Sequence, residues 1–162
     1  MRYFLLGQHP YFKSAFRLMD QKQKVDLAWI CADGFYKIPK NLVITVDRDE
    51  TAAFPDIITS PILLLSTLLL KVAFMFGGSI YSRDVILIDP KEQESRQYHI
   101  VLLETIRPGS ALWKVRDLFL IDHKGEQEIV ASQDLVESIL RRGAKGISLK
   151  EIQLPIKEDQ DV

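Results

Sequence analysis

Three carboxylates, Asp47, Asp49 and Glu50, fall within four positions directly after a β-branched apolar run. Paired carboxylates can act as the acid and base of a hydrolysis, provided neighbours hold one of them protonated near neutral pH. The same spacing also suits an acidic surface that meets a basic patch on a partner protein and speeds association. The plainest reading is a solvated loop at a strand end. The opposite cluster, Arg141, Arg142 and Lys145, is accounted for by positive charge at a helix C-terminus.

Other reactive groups are scattered. His9, His99 and His123 have no neighbour at ligand spacing, and without a paired Cys/His pattern no metal is expected. His99 sits within an apolar run as a half-buried structural residue, and His123 in a solvated turn. The chain has no Gly-x-Gly-x-x-Gly, Walker-type loop or Gly-x-Ser-x-Gly elbow, so neither a nucleotide cofactor nor a nucleophile is announced by motif. Cys31, the single cysteine, excludes an internal disulfide and reads as a small core residue in a reducing compartment.

The chain has 162 residues, of which 47% are apolar and 27% charged, with a formal net charge of -1. This is an ordinary globular mixture, and its charge gives no field to attract nucleic acid. One domain over residues 1–156 is expected, with a frayed tail over 157–162. The apolar stretch at the N-terminus is too short for a secretory signal, and cytoplasmic residence follows.

The elements that must position these groups read as an α+β domain built mostly on antiparallel sheet. Tyr3 begins a strand that the His9-Pro10 turn ends. Residues 14–19 are a short strand or turn, and residues 24–30 could be helix or strand. Leu42 to Val46 is a strand. Residues 57–76 are the most hydrophobic stretch. Ser60 as cap and Pro61 as first residue predict a central helix over about 61–76, closed by Gly77-Gly78. That helix is roughly 24 Å long, short of the roughly 30 Å of a hydrocarbon core, and it carries Lys71. It is therefore read as a buried core helix, with Ser66, Thr67 and Lys71 on its less buried stripe. Asp84 to Asp89 and Tyr98 to Thr105 are strands around the polar loop 90–97. The closing third reads as strand 112–121, strand 129–131, a Ser132-capped helix over about 133–142 with Leu135, Val136, Ile139 and Leu140 inward, and strand 147–152.

The order of Tyr3-Phe4-Leu5-Leu6, the Gly77-Gly78 stop and Tyr98 to Leu103 resembles a bacterial family. So does the closing series Leu118 to Ile121, Ile129-Val130-Ala131-Ser132, Leu135, Ile139-Leu140 and Gly146-Ile147. It is similar to the Imm11-type immunity proteins of polymorphic toxin systems. The resemblance implies a non-enzymatic inhibitor that binds a cognate toxin protein, with no catalytic residues and no cofactor. Asp47, Asp49, Glu50, Glu92 and Glu94, acidic groups beside strand ends and a hairpin tip, are then the candidate contacts. Two other readings are kept: a small hydrolase with a site assembled from distant residues, and a membrane or secretion-associated accessory protein using residues 57–76. Oligomeric state is not legible.

Overall fold

The computed structural model describes residues 2–49, 52–123 and 125–153. The predicted tail and Glu50 lie outside the described residues. The fold is α+β, with ten strands in two sheets and four short helices among the described residues. In chain order these are β1 (Tyr3–Gln8), α1 (Pro10–Ala15), β2 (Phe16–Leu18), α2 (Gln21–Lys24), β3 (Leu42–Arg48), β4 (Ile57–Ile58), β5 (Leu64–Ser66) and α3 (Thr67–Met75). They continue with β6 (Ile80–Asp89), β7 (Glu94–Leu103), β8 (Leu118–His123), β9 (Glu126–Ser132), α4 (Gln133–Arg141) and β10 (Ile147–Ile152).

The first and last strands lie side by side. The smaller sheet runs β10-β1-β9-β8, all antiparallel, and the larger runs β2-β3-β6-β7-β5-β4 with one parallel pair, β3 with β6. The core forms three apolar layers. One face of the larger sheet (Phe16, Ile44, Leu87, Tyr98, Ile100) is covered by Val25, Phe35, Ile38 and Phe54 from the non-strand segments. Between the sheets, Leu6, Ile129 and Ala131 meet Leu65, Val101 and Leu103, with α3 and α4 wedged in. The outer face of the smaller sheet buries Tyr3, Phe119 and Val130 against Ile106 and Trp113.

α4 forms as its local signals dictate. Ser132 Oγ accepts the Leu135 N–H at 3.3 Å, Asp134 lies in the first turn and Arg141 in the last. Gly143 has φ +75°, the left-handed stop. Leu135, Val136 and Ile139 are buried, but Leu140 is 51% exposed, because it turns away from the wedge between the sheets. Gly146 also has φ +72°, and a Cβ there would lie 2.5 Å from Pro55 Cβ. Gly146→Ala therefore meets both a backbone and a packing penalty. We expect a loss of about 2 kcal/mol or more in urea unfolding; a change below about 0.5 kcal/mol would show that neither penalty operates.

The central helix is shorter than expected. It begins at Thr67, capped by Ser66 Oγ, and residues 64–66 are instead β5. Leu64, Leu65 and Ser66 are all buried, so this strand carries no alternation, and an unbroken apolar run cannot be told from a helix by periodicity. Leu69, Leu70, Val72 and Ala73 are buried, and Lys71 lies on the exposed stripe with Phe74 and Met75. No helix among the described residues is long and apolar enough to cross a membrane.

Other boundaries move for local reasons. His9-Pro10 starts α1 rather than a simple turn, with His9 Nδ1 accepting the Tyr11 N–H at 3.2 Å. Residues 24–30 divide between the end of α2 and a 3₁₀ turn at Leu27–Trp29, so neither a long helix nor a strand forms. The predicted strand start at Leu112 is a 3₁₀ turn, Ala111–Val115, whose cap Ser110 accepts the Leu112 N–H at 3.2 Å. The loop 90–97 contracts to a turn at residues 90–93, because β7 begins at Glu94. Cys31 is exposed, not in the core; it sits in the turn after Trp29 and its thiol donates to the Ala28 carbonyl at 3.5 Å.

Candidate functional site

Parallel pairing of β3 with β6 carries the end of β3 to the β6–β7 turn. This brings Asp47 and Asp49 together with Glu92 and Glu94, although more than forty positions separate the pairs in sequence. The four are not a bare acidic patch. Arg17 on β2 bonds Asp47 Oδ2 at 2.8 Å and reaches Asp49 Oδ1 at 3.4 Å, and Lys91 Nζ is 3.9 Å from Asp47 Oδ1. The hydrogen bond from Arg17 holds the Asp47 carboxyl below the ordinary carboxylate range, against the opposing effect of burial.

Beneath them lies a buried pair. Arg48 Nε donates to Asp89 Oδ2 at 2.6 Å with both side chains almost wholly covered, and Arg48 Nη2 meets Glu94 Oε2 at 2.9 Å. Asp89 Oδ1 accepts the N–H groups of Lys91 and Glu92, which fixes the turn. The guanidinium groups of Arg48 and Arg96 lie 4.4 and 5.1 Å from the centroid of the Phe54 ring. Arg17, Arg48 and Asp89 did not stand out in the sequence, since their partners arrive only through non-local pairing. The network's charges largely balance, so its evident work is holding the hairpin to β3.

His99 belongs to a second chain of hydrogen bonds. It stands opposite Asp84 across β6 and β7, with Nδ1 2.8 Å from Asp84 Oδ1 and Nε2 3.0 Å from Thr67 Oγ1. A carboxylate can only accept, so Nδ1 carries a proton towards Asp84, and in the neutral ring Nε2 accepts from the Thr67 hydroxyl. This is the order of groups in an acyl-transfer triad. In such triads the carboxylate is buried to hold the imidazole, whereas the Asp84 side chain is 65% exposed. His123 lies apart, its Nδ1 3.2 Å from Glu128 Oε2.

The main concavity is elsewhere. α3 and α4 occupy part of the space between the sheets, and beside them opens a cleft of about 710 Å³. One wall is Leu6, Leu120, Ile129 and Leu149 from the smaller sheet, and the facing wall is Leu63, Val101 and Leu103. Gln8, Lys13, Cys31, Gln127, Glu128 and Lys150 add polar groups. Gln8 is itself buried, with its Oε1 accepting the Thr59 N–H at 3.3 Å. Volume, apolar walls and a few placed polar groups are the usual make-up of a binding site. None of Asp47, Asp49, Glu92, Glu94, His99, His123 or Thr67 lines it. The only sequence signal for it was the half-apolar composition of β1 and β10, which does not distinguish an open wall from a closed core. Among the described residues no group of three or more His, Cys, Asp or Glu side chains could hold a metal ion.

Comparison with protein-family models, curated proteins and solved structures returns no match to this chain.

Proposed function

We propose that this chain is a cytoplasmic binding protein of the immunity type, which holds a cognate toxin domain in an inactive stoichiometric complex. The resemblance of its closing strand–strand–helix–strand series motivates the partner. The observation that supports binding is the inter-sheet cleft, with apolar walls, a polar rim and a volume suited to desolvating part of another molecule. Acidic residues at the β6–β7 turn serve as a secondary contact in this reading, with Glu92 the most open to a partner, since Asp47, Asp49 and Glu94 are engaged by Arg17 and Arg48. Co-expression with the product of the adjacent reading frame tests it: a one-to-one complex that abolishes that product's toxicity is expected. Free passage of the two proteins through gel filtration, with toxicity unchanged, would overturn it.

A second reading, a hydrolase, rests on the Thr67–His99–Asp84 relay. There the Thr67 hydroxyl would attack an acyl carbonyl while His99 Nε2 takes its proton and passes it to the departing alcohol or amine, and water would then release the acyl group from Thr67. Labelling with a fluorophosphonate that disappears in Thr67→Ala would favour the enzyme. If the relay only anchors the start of α3 to the sheet, labelling is absent. Thr67→Val then lowers stability by about 1 kcal/mol, and Thr67→Ser restores it.

A further inference from the structure

The smaller sheet separates at one end, and the cleft runs into the gap. β1 pairs with β9 only from Tyr3 to Leu6, where Leu6 stands opposite Ile129. Beyond that point Gly7 and Gln8 pair with β10 alone, and Glu126 to Glu128 pair with β8 alone. Two central strands therefore turn unpaired edges towards each other, and Gly7, Gln8, Gln127 and Glu128 all line the cleft. Main-chain N–H and C=O groups need partners, and an open strand edge is a template for another chain. A purely aliphatic ligand would fill the volume and leave those edges unmet. An extended peptide satisfies both the edges and, through alternate side chains, the apolar walls.

Charge narrows the occupant further. Lys13 and Lys150 have no ion-pair partner among the described residues, whereas Glu128 already has His123 within 3.2 Å. Lys13 at the cleft, and Lys150 beside Leu5 on the outer-face side of its margin, thus offer two cations to acidic side chains.

We propose that the cleft receives an extended segment of a partner protein, carrying alternating apolar residues and acidic ones, which adds as a strand in the gap between β1 and β9. This proposal rests on the binding reading above and specifies where and how the partner is held.

The test selects random peptides of about ten residues on the full chain and follows amide hydrogen exchange. Selected peptides are expected to alternate apolar positions with Asp or Glu and to slow exchange at residues 7, 8, 127 and 128. N-methylation of the peptide at the ladder positions should weaken binding roughly tenfold or more. Lys13→Glu with Lys150→Glu should weaken it by about tenfold again. Equal binding of the N-methylated peptide overturns strand addition in favour of an apolar plug. Palmitate that binds the cleft while no peptide does overturns it in favour of a lipid-like ligand. Faster exchange at residues 7, 8, 127 and 128 on deletion of residues 154–162 assigns the gap to the chain's own end and also overturns it. If the adjacent-frame product binds while those amides exchange as before, strand addition fails and the binding reading stands. If peptides occupy the gap as expected and that product does not bind, the toxin reading fails and strand addition stands.

Discussion

Asp89→Ala should cost about 3–5 kcal/mol of folding free energy, measured by urea unfolding at neutral pH. The Asp89 carboxylate is buried against Arg48 at 2.6 Å and also accepts the Lys91 and Glu92 N–H groups. Removing it leaves a covered guanidinium with the more exposed Glu94, the Ala52 carbonyl and the face of Phe54, and it loosens the turn. Replacing both members, Arg48→Met with Asp89→Leu, should recover much of the loss, because the cost lies in the uncompensated charge rather than in the missing attraction. Glu94→Ala, at the exposed side of the same arginine, should cost less than about 1 kcal/mol. The same pair makes stability depend on pH. The hydrogen bond from Arg48 holds Asp89 below its ordinary value of 3.8, against the opposing effect of burial. A depressed carboxylate gives its full stabilisation above the unfolded value and loses it as pH falls through the folded one. The wild-type chain should therefore lose stability below about pH 4, and Asp89→Asn should flatten that part of the curve. A wild-type curve flat down to pH 2, or an Asp89→Ala cost under about 1 kcal/mol, would contradict the buried pair.

Trp113→Ala should cost a similar amount, about 3–5 kcal/mol. The indole is 2% exposed and packs edge-on against Phe119 at 5.0 Å and Tyr3 at 5.9 Å between ring centroids. Its Nε1–H donates to the Arg107 carbonyl at 2.9 Å, and its own carbonyl accepts from Tyr3 Oη. One side chain thus fills the outer layer of the smaller sheet and ties down the segment that covers it. Truncation opens a cavity and leaves the Arg107 carbonyl without this donor. Trp113→Phe should cost less, since it keeps a ring and loses the hydrogen bond. A loss under about 1 kcal/mol for Trp113→Ala would mean that the covering segment closes the outer layer without it.

Legibility in the sequence depended on how local the determinants were. α4 was legible nearly residue by residue because cap, dipole charges and left-handed glycine all lie within the helix or beside it. The X-Pro signals failed in opposite directions for one reason. His9-Pro10 resembles a turn and opens a helix, while Ser60-Pro61 resembles a helix start and precedes a strand. Proline fixes only its own φ and its neighbour's range, so packing decides the conformation of the residues after it. Residues 64–66 became a strand because both of their faces are covered, information that pattern alone does not contain. The acidic residues stood out in the sequence as two separate groups, at a strand end and a hairpin tip; that β3 and β6 bring Asp47 and Asp49 near Glu92 and Glu94 was not legible, nor were their cations. Arg17 and Arg48 reach them through β2–β3 and β3–β6 pairings. The cleft was the least legible feature, since it arises from two sheets diverging and from a ladder that stops at Leu6.

Cys31 gives the most direct test, because the chain's single thiol is exposed and lines the cleft. The rate of its alkylation by iodoacetamide should be measured for the free chain and for its complex with the adjacent-frame product. Occupation of the cleft by the partner predicts a slowing of about tenfold or more at saturation, corresponding to about 1.4 kcal/mol of protection. An unchanged rate in a demonstrably stoichiometric complex would contradict the account, placing the partner on another surface.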